Sequence, residues 1–210
     1  MARTHDTTSL PLRALKKERT AEALRRVARD YFKRMPYEEA RLTDIARDAE
    51  VSATTVYNYF PSKLELLYAV IYEDNIDIAD KTRRLGARTW KNAVDAIHAL
   101  AKLYFRWFDS YRRSALQALL AAAFVPDTET HDEYARLDEI NAAAVIELVE
   151  TLQRQGLVDS KIEPRFLGNL LFNLINAEFF TFVADESRTV QASSTSLRRQ
   201  LEFVAPTLVR

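Results

Sequence analysis

The sequence has no cysteine and only three glycines in 210 residues. Without cysteine there is no disulfide, no thiol nucleophile and no thiolate metal site. A phosphate-cradling loop needs two or three glycines within about eight residues. Gly86, Gly156 and Gly168 are scattered, which excludes a P-loop and a dinucleotide fingerprint. Six prolines with so few glycines also supply too few turns for an all-β fold. No run of about 18 apolar residues occurs, so no membrane partner is expected. Met1 to Leu15 lacks the apolar core of a signal peptide, and the expected compartment is the cytoplasm. Net charge is lacking too, because 30 basic and 30 acidic side chains cancel. Taken whole, that balance gives no hint of a polyanionic partner.

What the chain does contain is helical periodicity. Residues 1–12 read as a flexible arm. Leu15, Ala21, Leu24, Ala28, Tyr31 and Phe32 then recur at helical spacing, up to the stop at Pro36. Short helices follow over about 42–49 and 53–59, and Pro61-Ser62 opens a long one to about Leu85, with Gly86 as a candidate C-terminal cap. Further helices read over about 90–110, 112–123, 129–155 and 165–184. A last one runs from about Ser194 toward Val209, with Ser193, Ser194 and Thr195 as candidate caps. The expectation is an all-α fold of about nine helices.

Charge divides along this map. The first 34 residues carry a surplus of six positive charges. Residues 1–66 sum to +3 and the remainder to −3, so neutrality conceals a basic head on an acidic body. A basic head fits a polyanion, although charge alone fits a solvated surface helix equally well.

Residues 42–63 are the informative stretch. Ile45, Ala46 and Ala49 make the apolar edge of a helix too short to stand alone. Val51 plugs the turn and Ser52 is a good N-cap. The next helix buries Val56 and Phe60 and leaves Ala53, Thr54, Thr55 and Asn58 outside. Two short helices, a tight turn and a polar outer face describe a helix-turn-helix, whose second helix enters the major groove.

The pattern Ile45-Ala46, Ala49-x-Val51-Ser52, Tyr57-x-x-Phe60, Pro61-Ser62-Lys63 and Leu64-x-x-Leu67 resembles the signature of TetR-type (tetracycline-repressor-like) transcription regulators. The motif likeness covers residues 16–67. The chain departs from it at Glu50, where the family usually has glycine, and in Met35-Pro36-Tyr37, which follows the first helix in place of glycine. Arg41 stands near the position of a capping threonine, and Tyr59 replaces a histidine. A non-glycine at position 50 is strained if its φ is positive.

The resemblance implies a helix-turn-helix domain at 13–66 and a helical ligand-binding and dimerisation domain at 67–210. It implies phosphate contacts from Thr43, Tyr57, Tyr59 and Lys63, with Ser52 at the start of the recognition helix. Ala53, Thr54, Thr55 and Asn58 would face bases, with Thr and Ala suited to thymine methyls and Asn to adenine. The tyrosines could instead merely pack the head. The implied partners are a double-stranded DNA operator, a small-molecule effector and a second copy of the chain.

For dimerisation the resemblance points to the last two helices, with Phe166, Leu170, Leu174, Phe180 and Leu201 as candidates. The first of them is apolar nearly all round, so a partner could cover its outer side, or it could be a core helix of one protomer. For a ligand the candidates are Tyr104, Trp107, Phe108, Asn141 and Asn173, an aromatic wall with a few polar groups. The plainer reading makes these aromatics core and lets the asparagines bond across the dimer.

No catalytic residue and no cofactor is expected. His5, His98 and His131 are far apart and match no hydrolase or metalloprotease pattern. The acidic run Asp127, Glu129, His131, Asp132 and Glu133 reads as a helix start rather than a metal site. The whole points to a repressor that releases a near-palindromic operator when its ligand binds. The alternative is a helical protein-interaction module that uses its basic head on an acidic surface and takes no ligand.

Overall fold

The structure, a computed structural model, describes residues 12–126 and 129–208. The proposed arm lies outside these residues except for Leu12, which already begins the first helix. Asp127 and the expected helix end at Val209 are outside them as well. Among the described residues there are nine helices and no strand: α1 (Leu12–Arg34), α2 (Leu42–Asp48), α3 (Ala53–Tyr59), α4 (Lys63–Gly86), α5 (Ala93–Phe108), α6 (Arg113–Ala123), α7 (Glu129–Arg154), α8 (Pro164–Ala184) and α9 (Val190–Leu208).

Local chemistry sets most boundaries. Ser62 caps α4 by accepting from the Glu65 N–H at 3.1 Å. Asn92 does the same for α5 through Asp95 at 2.8 Å. Pro164 occupies the first turn of α8. At the end of α7, Gly156 takes a left-handed φ of 73°. The Leu157 N–H then reaches the Leu152 carbonyl, and the Gly156 N–H reaches that of Gln153, each at 2.9 Å.

Two expected caps are corrected. Gly86 stays inside α4, and the cap is Ala87 in right-handed geometry. Ser193 and Ser194 do not open α9; they are buried in its second turn, and the helix starts at Val190, where Thr189 Oγ1 accepts from the Ala192 N–H at 3.1 Å. Their hydroxyls serve tertiary contacts. Ser194 Oγ meets His98 Nε2 at 2.8 Å, while His98 Nδ1 faces Arg198 Nη1 at 3.1 Å. A guanidinium can only donate, so Nδ1 accepts and Nε2 carries the proton. Burial, aided by the Lys102 and Arg198 charges, holds this imidazole below its usual pKa.

One apolar core runs through the chain. In the head, Leu24, Ala28 and Phe32 of α1 pack with Ile45, Val56 and the start of α4. In the body, α7 lies along α4 and α8, and α5 along α9. By length and a mean hydropathy of 1.4, α8 is the one described helix that could span a membrane, contrary to the expectation of no such run. Asn169, Asn173, Asn176 and Glu178 interrupt its apolar sequence without lowering the mean enough. Its inner face is buried, and Glu178 is held there by Arg188 at 2.7 Å, by Gln200 at 2.8 Å and by Ser196.

Candidate DNA-binding head and body cavity

In the head, α2 and α3 are joined by residues 49–52. Glu50 has φ 57°, the left-handed region that costs a side chain about 1–2 kcal/mol. It is forced there because the Val51 N–H closes on the Ala46 carbonyl at 2.9 Å and that of Glu50 on Arg47 at 3.0 Å. The bonding matches that at Gly156, with a glutamate where glycine belongs. Glu50→Gly should therefore raise stability by about 0.5–1 kcal/mol, read as a rise in Tm of about 2–3 °C. Arg41 at the N-cap of α2 makes no side-chain capping bond.

On α3, Ser52 Oγ accepts from the Thr55 N–H at 3.0 Å and pairs with Thr55 Oγ1 at 2.8 Å. The Thr55 hydroxyl is thus committed to the cap and leaves its methyl for other contacts. Thr54, Asn58 and Tyr57, the last 52% exposed, stand out in solvent, as does Thr43 on α2. Ala53 and Tyr59 are half-buried. Lys63 has a partner that sequence reading missed. Its ammonium donates to the Tyr37 carbonyl at 2.6 Å and lies 4.2 Å from the centre of the Tyr37 ring. Burial lowers its pKa. With the Glu38 carbonyl at 3.5 Å as a second acceptor, it ties the α1–α2 connection to α4 and keeps one proton free.

The head is fixed to the body through Asp74 on α4, which sequence reading also missed. Its carboxylate receives Arg29 Nε at 2.7 Å, Tyr111 Oη at 2.6 Å and Trp107 Nε1 at 3.3 Å, with Lys33 Nζ at 3.5 Å. Burial alone would raise its pKa, but the Tyr111 hydroxyl and the Arg29 and Lys33 charges outweigh it and hold it below the usual carboxylate range. Beside it, Arg112 donates to the Arg34 carbonyl and Ser114 accepts from the Tyr37 N–H.

The next residue, Asn75, turns the other way into a narrow cavity of about 30 Å³ enclosed by α4 to α8. Trp107, Phe108, Leu116, Tyr134, Asp138, Asn141, Asn176 and Phe179 are among its walls. Three of the five expected ligand residues, Trp107, Phe108 and Asn141, thus line one cavity. Tyr104 stands behind them, donating to Asn141 Oδ1 at 2.8 Å. Asn173 is a correction: it is exposed on the outer face of α8, and Asn176, one helical turn on, faces the cavity instead. Burial pushes the Asp138 carboxyl up to about 6. Asn75 is 2% exposed, and its Oδ1 has no partner. Both could have been found from periodicity, since Asn75 lies four residues from Ile71 and from Ala79, and Asp138 follows Leu137 on the inward stripe.

Outside, α8 presents Phe166, Leu170 and Phe180 to solvent, with the Phe124 ring tilted against Phe180, their centres 6.1 Å apart. Leu174 is half-buried against the core. Leu201 is corrected: at 1% exposure it belongs to the core of its own protomer, because α9 turns that face toward α5. Phe203, 86% exposed, is the apolar side chain α9 offers outward.

Residues 24–70 match the family described as bacterial regulatory proteins, tetR family. No curated protein sequence matches the chain. Its fold is similar to that of a TetR-family transcriptional regulator from Pectobacterium atrosepticum, at 19% identity and TM-score 0.72, covering 93% of this chain and 96% of that one. A second such regulator, from Mesorhizobium loti, has 16% identity and TM-score 0.68, covering 93% and 99%. The regulator FadR from Bacillus subtilis, in complex with stearoyl-CoA, has 14% identity and TM-score 0.62, covering 86% and 96%. Residues 24–70 are thus similar to the helix-turn-helix head of the tetR family of bacterial regulatory proteins, and the chain as a whole shares the all-α fold of these regulators.

Proposed function

We propose that the protein is a cytoplasmic, homodimeric repressor whose head, residues 13–66, releases a near-palindromic operator when a small molecule enters the body, residues 67–210. One observation carries the coupling. Asp74 and Asn75 are adjacent on α4, and one grips α1 of the head while the other lines the cavity. Trp107 belongs to both sites, because its ring walls the cavity and its N–H reaches Asp74. A ligand that prefers a shifted α4 therefore selects a shifted head, and only that preference is needed to move the population.

The exposed Phe166, Leu170 and Phe180 on the outer side of α8, with Phe124 against Phe180, support dimerisation, since large apolar side chains gathered at one surface mark an interaction site. A dimer sets two α3 helices one groove turn apart, about 34–36 Å or a multiple of it. No residue is assigned a catalytic role in this reading.

The test is site selection from random duplexes with the full chain. A near-palindromic site bound by two copies is the expected result, and absence of duplex binding even at low salt would refute the reading. Tyr57→Phe should weaken selected and random duplexes alike by about tenfold, the value of one hydrogen bond to a charged group. Asn58→Ala and Thr54→Ala should instead change the preferred bases at fixed positions. Unchanged preference in both would remove the base-facing assignment.

A further inference from the structure

The cavity beneath α4 has a definite polarity. Its walls are mainly aromatic and aliphatic, and among the described residues its only ionisable groups are Asp138 and Tyr134, with no lysine, arginine or histidine. No hydrogen bond or ion pair holds the Asp138 carboxyl, and only burial perturbs it. It is a half-buried acid in the cavity wall with no basic side chain beside it among the described residues. Such an arrangement is costly until a cation or a donor is supplied. The second polar group without a partner is the Asn75 Oδ1, an acceptor in a residue 2% exposed. Buried acceptors are normally satisfied, so an orphaned one calls for a donor. The Asn141 oxygen is already taken by Tyr104.

Two acceptors with no partner, one of them charged, face a space lined by Trp107, Phe108 and Phe179. We propose that the effector is a small organic cation, an amine with an aromatic or aliphatic body, whose ammonium is received by Asp138 and Asn75. This rests on the reading of the cavity as the effector site. The ammonium donates to both oxygens, and the rings offer their π faces to the cation and their surface to the body. In its present form the cavity of about 30 Å³ admits a group the size of one or two waters, which suits the head of such a ligand. Seating the body requires α4 and α7 to separate, and that is the movement that loads Asp74. The same walls disfavour a carboxylate or phosphate, which would meet the Asp138 charge without a compensating base.

Three probes that share a phenylethyl body and differ in the polar head separate the possibilities: 2-phenylethylamine, 2-phenylethanol and 3-phenylpropionate. They are titrated into the full chain in a Trp90→Phe background, so that Trp107 alone reports. The amine should quench Trp107 and raise Tm, and 3-phenylpropionate should do neither. Asp138→Asn should weaken the amine by about tenfold or more and leave 2-phenylethanol unchanged, which also shows that the variant is folded. Binding of 3-phenylpropionate as tight as that of the amine would overturn the ligand class while leaving the cavity as the effector site. So would an amine affinity that Asp138→Asn does not alter. Failure of all three probes to change Trp107 would overturn the cavity reading itself.

Discussion

Replacing Asp74 by alanine is expected to cost about 2–4 kcal/mol and to lower Tm by roughly 6–12 °C. The side chain is 16% exposed, and two cations and two neutral donors converge on its carboxylate. Removing it leaves Lys33 and the Tyr111 hydroxyl without their acceptor at the junction of α1 and α4, while Arg29 keeps only its pair with Glu73. Loss of one partner from a buried pair costs more than the pair is worth, because the remaining charge stays desolvated. The figure sits below the fully buried range because both cations keep some contact with water.

The pH dependence has a definite sign. The folded-state pKa of Asp74 lies below the ordinary carboxylate value of 3.8, so its contribution is complete above that pH and is lost as pH falls through the lower folded value. Urea unfolding of Asp74→Ala should therefore converge on wild type in strong acid and diverge above about pH 4. The exposed pair of Lys81 and Asp77 is the control: though its charges lie 2.5 Å apart, Asp77→Ala should change stability by about 0.5 kcal/mol or less. Equal effects at the two positions would remove Asp74 as the anchor of the head. If the anchor also carries the effector signal, Asp74→Ala should retain probe binding at the cavity and lose its effect on DNA.

The helices were legible because their ends are local chemistry. Pro36, Ser52, Ser62, Gly156 and Pro164 act within one turn, and the structure places helix boundaries beside each. The conflict at Glu50 was legible too, since a glutamate in a glycine position announces either a different turn or strain, and the φ of 57° shows strain. What sequence could not give was facing. Asn173 and Asn176 differ by one helical turn, and Leu170 and Leu201 look equally apolar. Which of them is covered depends on where α7 and α9 lie against α8, a tertiary choice. Lys63 illustrates the same limit, because its partner carbonyl at Tyr37 is 26 residues away and belongs to the backbone. Asp74 reads as one more acid on a charged helix until α1 and α5 converge on it.

Gly168→Ala should destabilise the protein by about 2 kcal/mol and lower Tm by roughly 4–8 °C, although alanine is the better helix former by about 1 kcal/mol. The sign follows from geometry. A Cβ at Gly168 would lie 2.5 Å from Ile146 Cγ1, 2.9 Å from Ile146 Cα and 3.1 Å from its nitrogen. The first contact could be relieved by a rotamer change, but the other two are backbone, so α7 and α8 would have to part. Ile146→Ala in the same chain should therefore rescue only part of the loss. At Gly86, where α4 meets α7, an added Cβ finds Leu148 at 3.5 Å, an ordinary contact. Gly86→Ala should accordingly be neutral or stabilising by up to about 1 kcal/mol. The consequence at Gly168 extends to function because α7 carries Asp138 and Asn141 into the cavity while α8 carries Phe166 and Leu170 on its outer face. Parting the two helices opens the cavity wall and tilts the proposed dimer surface together. Thermal unfolding of the three variants, read beside their sedimentation, tests this. A Gly168→Ala protein as stable as wild type would mean that the α7–α8 crossing yields freely and sets neither site.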